Sequence, residues 1–316
     1  MTTAKPMRLL FVGAGAVGGF VAARTLEGGQ DVTVLAHPAR ARSLREHGLV
    51  VVTPSATTTS RPNVVTADEL TADYDAVVLA VKADVLDGAM DDIAAAVTPD
   101  TMVVPFLNGM GHIDRLVDRF GSSVIGGVLR VATELQANGS VRLLDPLFAI
   151  EIGELDGKPS ERTDALGTAF RAAGAQVTVS RHIMADMWNK WVFIASIGAI
   201  TGLMRGPIGE IVAVPGGDAF ARAVVAEACG VAAAAGYPLT DAQRQGVERT
   251  VTATGSPATS SLSRDLLAGH KTEVEPVLGD LVARASAAGL AVPYLTAATL
   301  ALRVHNQRLL TAAARA

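Results

Sequence analysis

Hydrophobic positions fall into two patterns along the chain. From Met7 to about Ser180, short apolar runs alternate with segments whose apolar residues recur at helical spacing. The runs predict strands at Leu9–Gly13, Val32–Leu35, Leu49–Thr53, Ala76–Val81, Met102–Pro105, Ser123–Gly127, Phe148–Gly153 and Gln176–Val179. Between them, Glu69–Ala72, Val85–Ala96 and Thr163–Ala172 read as helices or helix ends, and Ser55 to Pro62 as a loop or hairpin connection. The later strands are more polar and read as candidates for antiparallel pairing. From His182 on, strand-type alternation disappears. Alanine-rich runs at helical spacing follow, near Met184–Met204, Gly217–Ala235, Asp241–Thr252, Ser260–Ala268, Glu273–Ala288 and Leu295–Ala314. The pattern predicts an α/β domain over residues 1–181 and an all-helical domain over 182–316.

The first predicted strand runs into Gly13-Ala14-Gly15-Ala16-Val17-Gly18, with a helix-compatible stretch after it and a second apolar strand, Asp31–Leu35, at βαβ spacing. In that setting the glycines have separate uses. Gly13 permits a tight turn, Gly15 lets the backbone approach a pyrophosphate, and Gly18 lets the helix pack on the strand, while the helix's first turn at Ala16 and Val17 offers N–H groups to an anion. The N-terminal domain is therefore expected to be a Rossmann-type doubly wound sheet binding a dinucleotide. A secretory signal, the other reading of Lys5 and Arg8 before an apolar stretch, explains neither the glycine register nor the following strand.

Where an NAD site carries an acid after the second strand, this chain has Ala36-His37-Pro38-Ala39-Arg40-Ala41-Arg42. Arg40 and Arg42 are available to meet a 2′-phosphate, which favours NADP(H); read as a solvated helix start, they leave the preference undetermined. Lys82 ends the strand Asp75–Val81 and is expected to point at the crevice beyond the sheet's carboxyl edge, the alternative being a surface lysine before the next helix. Asn108, after Met102–Pro105, either donates its amide to a ligand or makes a glycine-flanked turn.

Composition narrows the function. A net charge of −4 with scattered Lys and Arg gives no stripe for nucleic acid and no run for an anionic membrane. The apolar segment Trp191 to Met204 is too short to span a bilayer. One cysteine, Cys229, in a helix-like setting, fits packing and a reducing cytoplasm. The six histidines show no metal-ligand spacing, and there is no G-x-S-x-G nucleophile elbow. Small-molecule chemistry remains.

Over almost its whole length the chain resembles the ketopantoate reductase (2-dehydropantoate 2-reductase) family. The glycine motif, Val81-Lys82, Asn108-Gly109-Met110-Gly111, Trp188-Asn189-Lys190, and Ser260–Asp265 followed by Lys271–Glu275 carry the likeness in order. The resemblance implies NADPH and a 2-keto acid meeting between a Rossmann domain and a helical domain, with Lys190 as the catalytic lysine and Glu273 as the acid that orients substrate. Ser261, Asn108 and Lys82 would be their neighbours. Hydride addition makes an alkoxide of a ketone oxygen, so a cation able to deliver a proton suits the reaction. Lys190 is the only charge between Met187 and Met204; the residues alone also allow a lysine snorkelling from the first turn of a buried helix. Without the resemblance, Glu273 reads as a solvated acid near a helix start, and Ser261 as a candidate N-cap.

Two departures stand out. Family members usually present asparagines four and eight residues after the lysine, where this chain has Ile194 and Gly198. Losing two amides removes partners for a polar substrate, which points to a less polar 2-keto acid or another carbonyl compound. His37 stands where an arginine often meets the 2′-phosphate. A hydroxy acid dehydrogenase of other specificity and a non-catalytic NADP(H)-sensing protein remain as alternatives. The apolar C-terminal helices fit either a homodimer or packing within one chain.

Overall fold

The alternating half of the chain builds two sheets. The computed structural model describes residues 5–71 and 73–313. In the first sheet, β1 (Arg8–Val12), β2 (Asp31–Leu35), β5 (Asn63–Val65), β6 (Ala76–Leu79) and β7 (Met102–Pro105) lie parallel in the order β5-β2-β1-β6-β7. β1 reads Arg-Leu-Leu-Phe-Val with no polar alternation because both its faces are covered. Leu9 and Phe11 enter one core with Phe20 and Val21 of α1 (Ala16–Glu27), and Leu10 and Val12 enter another with Leu86, Met90 and Ile93 of α3 (Leu86–Ile93) and Leu116 of α4 (Gly111–Phe120). This is the expected α/β fold with a doubly wound sheet.

The second sheet has the order β10-β9-β3-β4, with β8 paired to β9. β3 (Leu49–Val52) and β4 (Thr57–Ser60) form an antiparallel hairpin, so the Ser55–Pro62 connection is the hairpin of its two readings. β8 (Ile125–Leu135) and β9 (Val141–Glu154) are antiparallel, while β10 (Gln176–Val179) and β3 lie parallel to β9. α5 (Glu161–Ala172) packs Leu166 and Phe170 into the core shared with α1, where Phe20 meets Phe148 edge to face at 5.0 Å.

From Ile183 on, the described elements are all helical. α6 (Ile183–Met204), α7 (Ile208–Ala213), α8 (Gly217–Ala234), α9 (Asp241–Val251), α10 (Ser261–Leu267), α11 (Asp280–Ala287) and α12 (Pro293–Ala313) make up the described C-terminal region, with a π-helical turn at Glu275–Gly279 leading into α11. Among the described residues no helix is long and apolar enough to cross a membrane. Cys229 lies on α8, where burial pushes its thiol up. Contacts divide the chain into two compact units. One holds the chain up to Leu107 together with His112–Ile183; the other holds Asn108–Gly111 and the chain from Met184 on.

Several elements differ from expectation for local reasons. β8 and β9 outrun the predicted Ser123–Gly127 and Phe148–Gly153 because their outer halves are half-buried or exposed with little alternation and a register shift between Val131 and Thr133 breaks the pairing pattern. Glu69 belongs to a single 3-10 turn, Ala67–Glu69, closed by a capping box with Thr66, and Ala72 lies outside the described residues, as does Ala314. Three helices were not predicted: α2 (Pro38–His47) buries only Ala41 and Leu44, α7 is only six residues long, and α4 carries its apolar face at Ile113 and Leu116 behind a glycine-rich turn that reads as loop.

Candidate functional site

In the N-terminal unit, β1 stops at Val12 and the chain turns on Gly13 at φ +96°, a conformation that favours glycine. A Cβ on Gly13 would lie 2.8 Å from the carbonyl oxygen of Ala80, and one on Gly18 would run into the carbonyl oxygen of Gly13. At Gly15 the same construction meets nothing within 4 Å. Two glycines are thus required by protein packing and the third opens onto free space, at the N-cap of α1, which no side chain caps. Ala16 and Val17 form the helix's first turn. The cradle fits a pyrophosphate: open space, uncapped N–H groups and the positive end of a helix coincide.

The strand order reverses here, since β1 leads to β2 on one side and pairs with β6 on the other. Lys82 follows β6, is exposed, and precedes a 3-10 turn at Ala83–Val85. At the end of β2, His37 is exposed at the N-cap of α2, and Arg42 is exposed one turn on. Arg40 is placed differently. It is half-buried, and its Nη2 donates to the carbonyls of Ala14 (3.2 Å) and Gly139 (3.1 Å), while burial pulls the guanidinium below its ordinary pKa.

In the second unit, Lys190 Nζ donates to Asn108 Oδ1 at 3.2 Å. α6 supplies the lysine, and its other sides bury Trp188 and Trp191, so the helix is fixed by large rings. The Asn108–Gly111 turn is held from two directions. Gly109, at φ +83°, lies so close to the carbonyl of Pro276 that a Cβ there would collide with it, and a Cβ on Gly111 would lie 3.3 Å from the Asp280 carboxylate. The π-helical turn widens the backbone at this point and leaves the Val277 carbonyl to accept from Trp191 Nε1 at 2.9 Å. Arg284, paired with Asp280, stacks over Trp188 and Trp191 at 5.8 and 5.6 Å.

Glu273 is half-buried in the segment just before the π-helical turn, outside any helix. Its neighbour Thr272 is gripped by Asn306, whose Oδ1 accepts from the Thr272 backbone N–H (2.9 Å) and hydroxyl (3.1 Å) and whose Nδ2 donates to the Thr272 carbonyl (2.9 Å). Ser261 is the exposed first residue of α10, and the N-cap is Ser260, which accepts from the Ser263 N–H at 3.0 Å. A buried bond from Ser260 Oγ to Thr201 Oγ1 at 2.8 Å orients that cap, which is why the preceding serine takes the position.

Ile194 and Gly198 follow Lys190 at four-residue spacing along α6. At Gly198 a Cβ would meet Leu262 Cδ1 at 3.0 Å and Val277 Cγ1 at 3.9 Å. Leu262 therefore occupies the space beside the glycine. Sequence reasoning missed Leu262, Asn306 and the π-helical turn; Pro276 and Gly279 inside a helical run were the only trace of the last. Among the described residues no group of three or more His, Cys, Asp or Glu side chains is placed to hold a metal.

Comparison with known proteins gives the arrangement its context. Residues 9–157 match the family model described as ketopantoate reductase PanE/ApbA, and residues 182–306 match the model of its C-terminal part. The chain is 34% identical over 290 residues to the uncharacterized oxidoreductase YkpB of Bacillus subtilis, covering 92% of this chain and 95% of that protein. It is 30% identical over 293 residues to a 2-dehydropantoate 2-reductase of Halobacterium salinarum, covering 92% and 95%. A crystal structure of a PanE/ApbA family ketopantoate reductase from Ralstonia eutropha superimposes with a TM-score of 0.86 at 25% identity, covering 96% of this chain and 99% of that one. A D-mandelate dehydrogenase in complex with NADH and anilino(oxo)acetate shares the fold, with a TM-score of 0.84 at 21% identity and 96% and 99% coverage. With both halves matched to the family's models and full-length relatives at this identity, the chain belongs to the ketopantoate reductase family of oxidoreductases.

Proposed function

We propose that the protein reduces a 2-keto acid with NADPH, and that the substrate is less polar than ketopantoate. The observation that carries this reading is the Lys190 ammonium hydrogen-bonded to Asn108 on the helix that presents Ile194 and Gly198 one and two turns further on. The glycine cradle suits the dinucleotide pyrophosphate, and no acid lies between Leu35 and Arg45 to repel a 2′-phosphate, with His37 and Arg42 exposed beside that position. A bound nicotinamide would supply the hydride.

Lys190 is assigned the proton. As hydride reaches the ketone carbon, the carbonyl oxygen gains negative charge and takes a proton from Nζ, giving a 2-hydroxy acid and a neutral amine that solvent reprotonates. Asn108 Oδ1 holds the ammonium in place, and Glu273, steadied through Asn306 and Thr272, orients the substrate. Ile194 and Leu262, in place of amides, favour an apolar substituent on the keto acid.

The test is NADPH oxidation across a panel of 2-keto acids with apolar and hydroxylated substituents. Turnover with the apolar members exceeding that with ketopantoate is expected. NADPH binding without turnover on any carbonyl compound would overturn the reading in favour of a sensing role.

A further inference from the structure

Arg40 occupies the position where a cation would be looked for as the partner of a cofactor 2′-phosphate, yet its hydrogen bonds run inward. Nη2 reaches the carbonyl of Ala14, the residue between the first two glycines of the cradle, at 3.2 Å, and the carbonyl of Gly139, in the turn joining β8 to β9, at 3.1 Å. That turn is itself closed by bonds from the Gly139 N–H to the Gln136 carbonyl (2.8 Å) and from the Ser140 N–H to Asn138 Oδ1 (3.0 Å). Gly139 sits at φ +82°, and a Cβ on it would lie 2.7 Å from Arg40 Nη1. Glycine here leaves room for the guanidinium.

We infer that Arg40 is a positioning residue for the dinucleotide cradle, and that it serves cofactors with and without a 2′-phosphate alike. The physical reason lies in the Ala14 peptide. Holding its carbonyl toward Arg40 turns the N–H that Gly15 contributes to the same peptide plane the opposite way, because the two groups are fixed antiparallel across a planar bond. The cradle's donors are thereby set before the pyrophosphate arrives, which lowers the ordering cost of binding. A guanidinium can do this because the two N–H groups of Nη2 are fixed in its plane and donate to two carbonyls at once. Recognition of a 2′-phosphate is left to His37 and Arg42.

This assignment rests on the dinucleotide reading above, and binding titrations separate the two. NADPH and NADH dissociation constants are measured by fluorescence for wild type, Arg40→Ala, Arg40→Lys and Gly139→Ala, with thermal melts alongside. Arg40→Ala is expected to weaken both cofactors by the same factor, roughly tenfold. Arg40→Lys restores part of the loss for both, and Gly139→Ala, which displaces the guanidinium from the other side, weakens both even if Arg40→Ala fails to fold. His37→Ala and Arg42→Ala are expected to weaken NADPH alone. Loss confined to NADPH in Arg40→Ala would overturn the inference by making Arg40 a phosphate ligand. A lower melting temperature with both constants unchanged would overturn it by making Arg40 a strut of the fold. If the His37 and Arg42 variants leave the NADPH to NADH ratio unchanged while Arg40→Ala weakens both, the NADP preference fails and the Arg40 assignment stands.

Discussion

The Lys190 ammonium donates to the side-chain carbonyl of Asn108 across 3.2 Å, although the two residues are 82 positions apart. The pairing places a cation next to a side-chain carbonyl that accepts a hydrogen bond and carries no charge of its own. Replacing the acceptor by a charge is therefore informative. Asn108→Asp is expected to stabilise the ammonium, moving the alkaline limb of the kcat/KM profile upward by about one pH unit. The check is a pH–rate profile of both proteins; an unshifted limb would separate Asn108 from the proton donor.

The turn carrying Asn108 depends on Gly109. An alanine there is strained at φ +83° and drives its Cβ into the Pro276 carbonyl, backbone against backbone. Gly109→Ala is expected to cost about 2 kcal/mol or more and to lower kcat by displacing Asn108. Urea unfolding and steady-state kinetics read the two effects.

Substrate choice is expected to turn on the Gly198–Leu262 contact. An asparagine at 198 crowds Leu262, whose Cδ1 stands 3.0 Å from the position of its Cβ and has to give way. Gly198→Asn alone is expected to lose about 1–3 kcal/mol of stability through overpacking. Adding Leu262→Ala relieves the clash and raises the kcat/KM ratio of hydroxylated over apolar keto acids, measured in the same panel. A double variant with the wild-type preference would remove this face of α6 from substrate recognition.

In the N-terminal unit, acid stability is expected to depend on Glu154. Burial raises its pKa, but the bidentate pair with Arg162 (2.6 and 2.7 Å) and the Ser160 hydroxyl outweigh it, leaving the carboxyl below its ordinary value. A depressed folded-state pKa contributes stability that is fully present above the unfolded value and lost as pH falls through the folded one. Arg162→Ala is expected to destabilise by about 1–2 kcal/mol at pH 7, with the difference from wild type shrinking on acidification below about pH 4.5. Urea midpoints at several pH values test it; a difference that persists at low pH would assign the effect to packing.

Much of this architecture was legible in the sequence because its signals are local. The β1–glycine–α1 unit is a strand, a turn and a helix adjacent in the chain; Gly13 and Gly18 each answer to a contact of their own and Gly15 to open space. The helical half followed from alanine-rich periodicity. What escaped was set by partners distant in sequence: Leu262 filling the space beside Gly198, Asn306 gripping Thr272, and Thr201 orienting Ser260 so that it, not Ser261, caps α10. No spacing rule joins residues 198 and 262. The departures at Ile194 and Gly198 were visible from the resemblance, but the apolar side chain from another helix that stands beside Gly198 was not.

The most direct test of the central claim is single-turnover reduction by Lys190→Ala at saturating NADPH with the best keto acid of the panel. Hydride transfer slowed by about 10²- to 10⁴-fold, with the NADPH dissociation constant unchanged, is the expected result. Wild-type single-turnover rates in that variant would contradict the assignment of Lys190 as the proton donor.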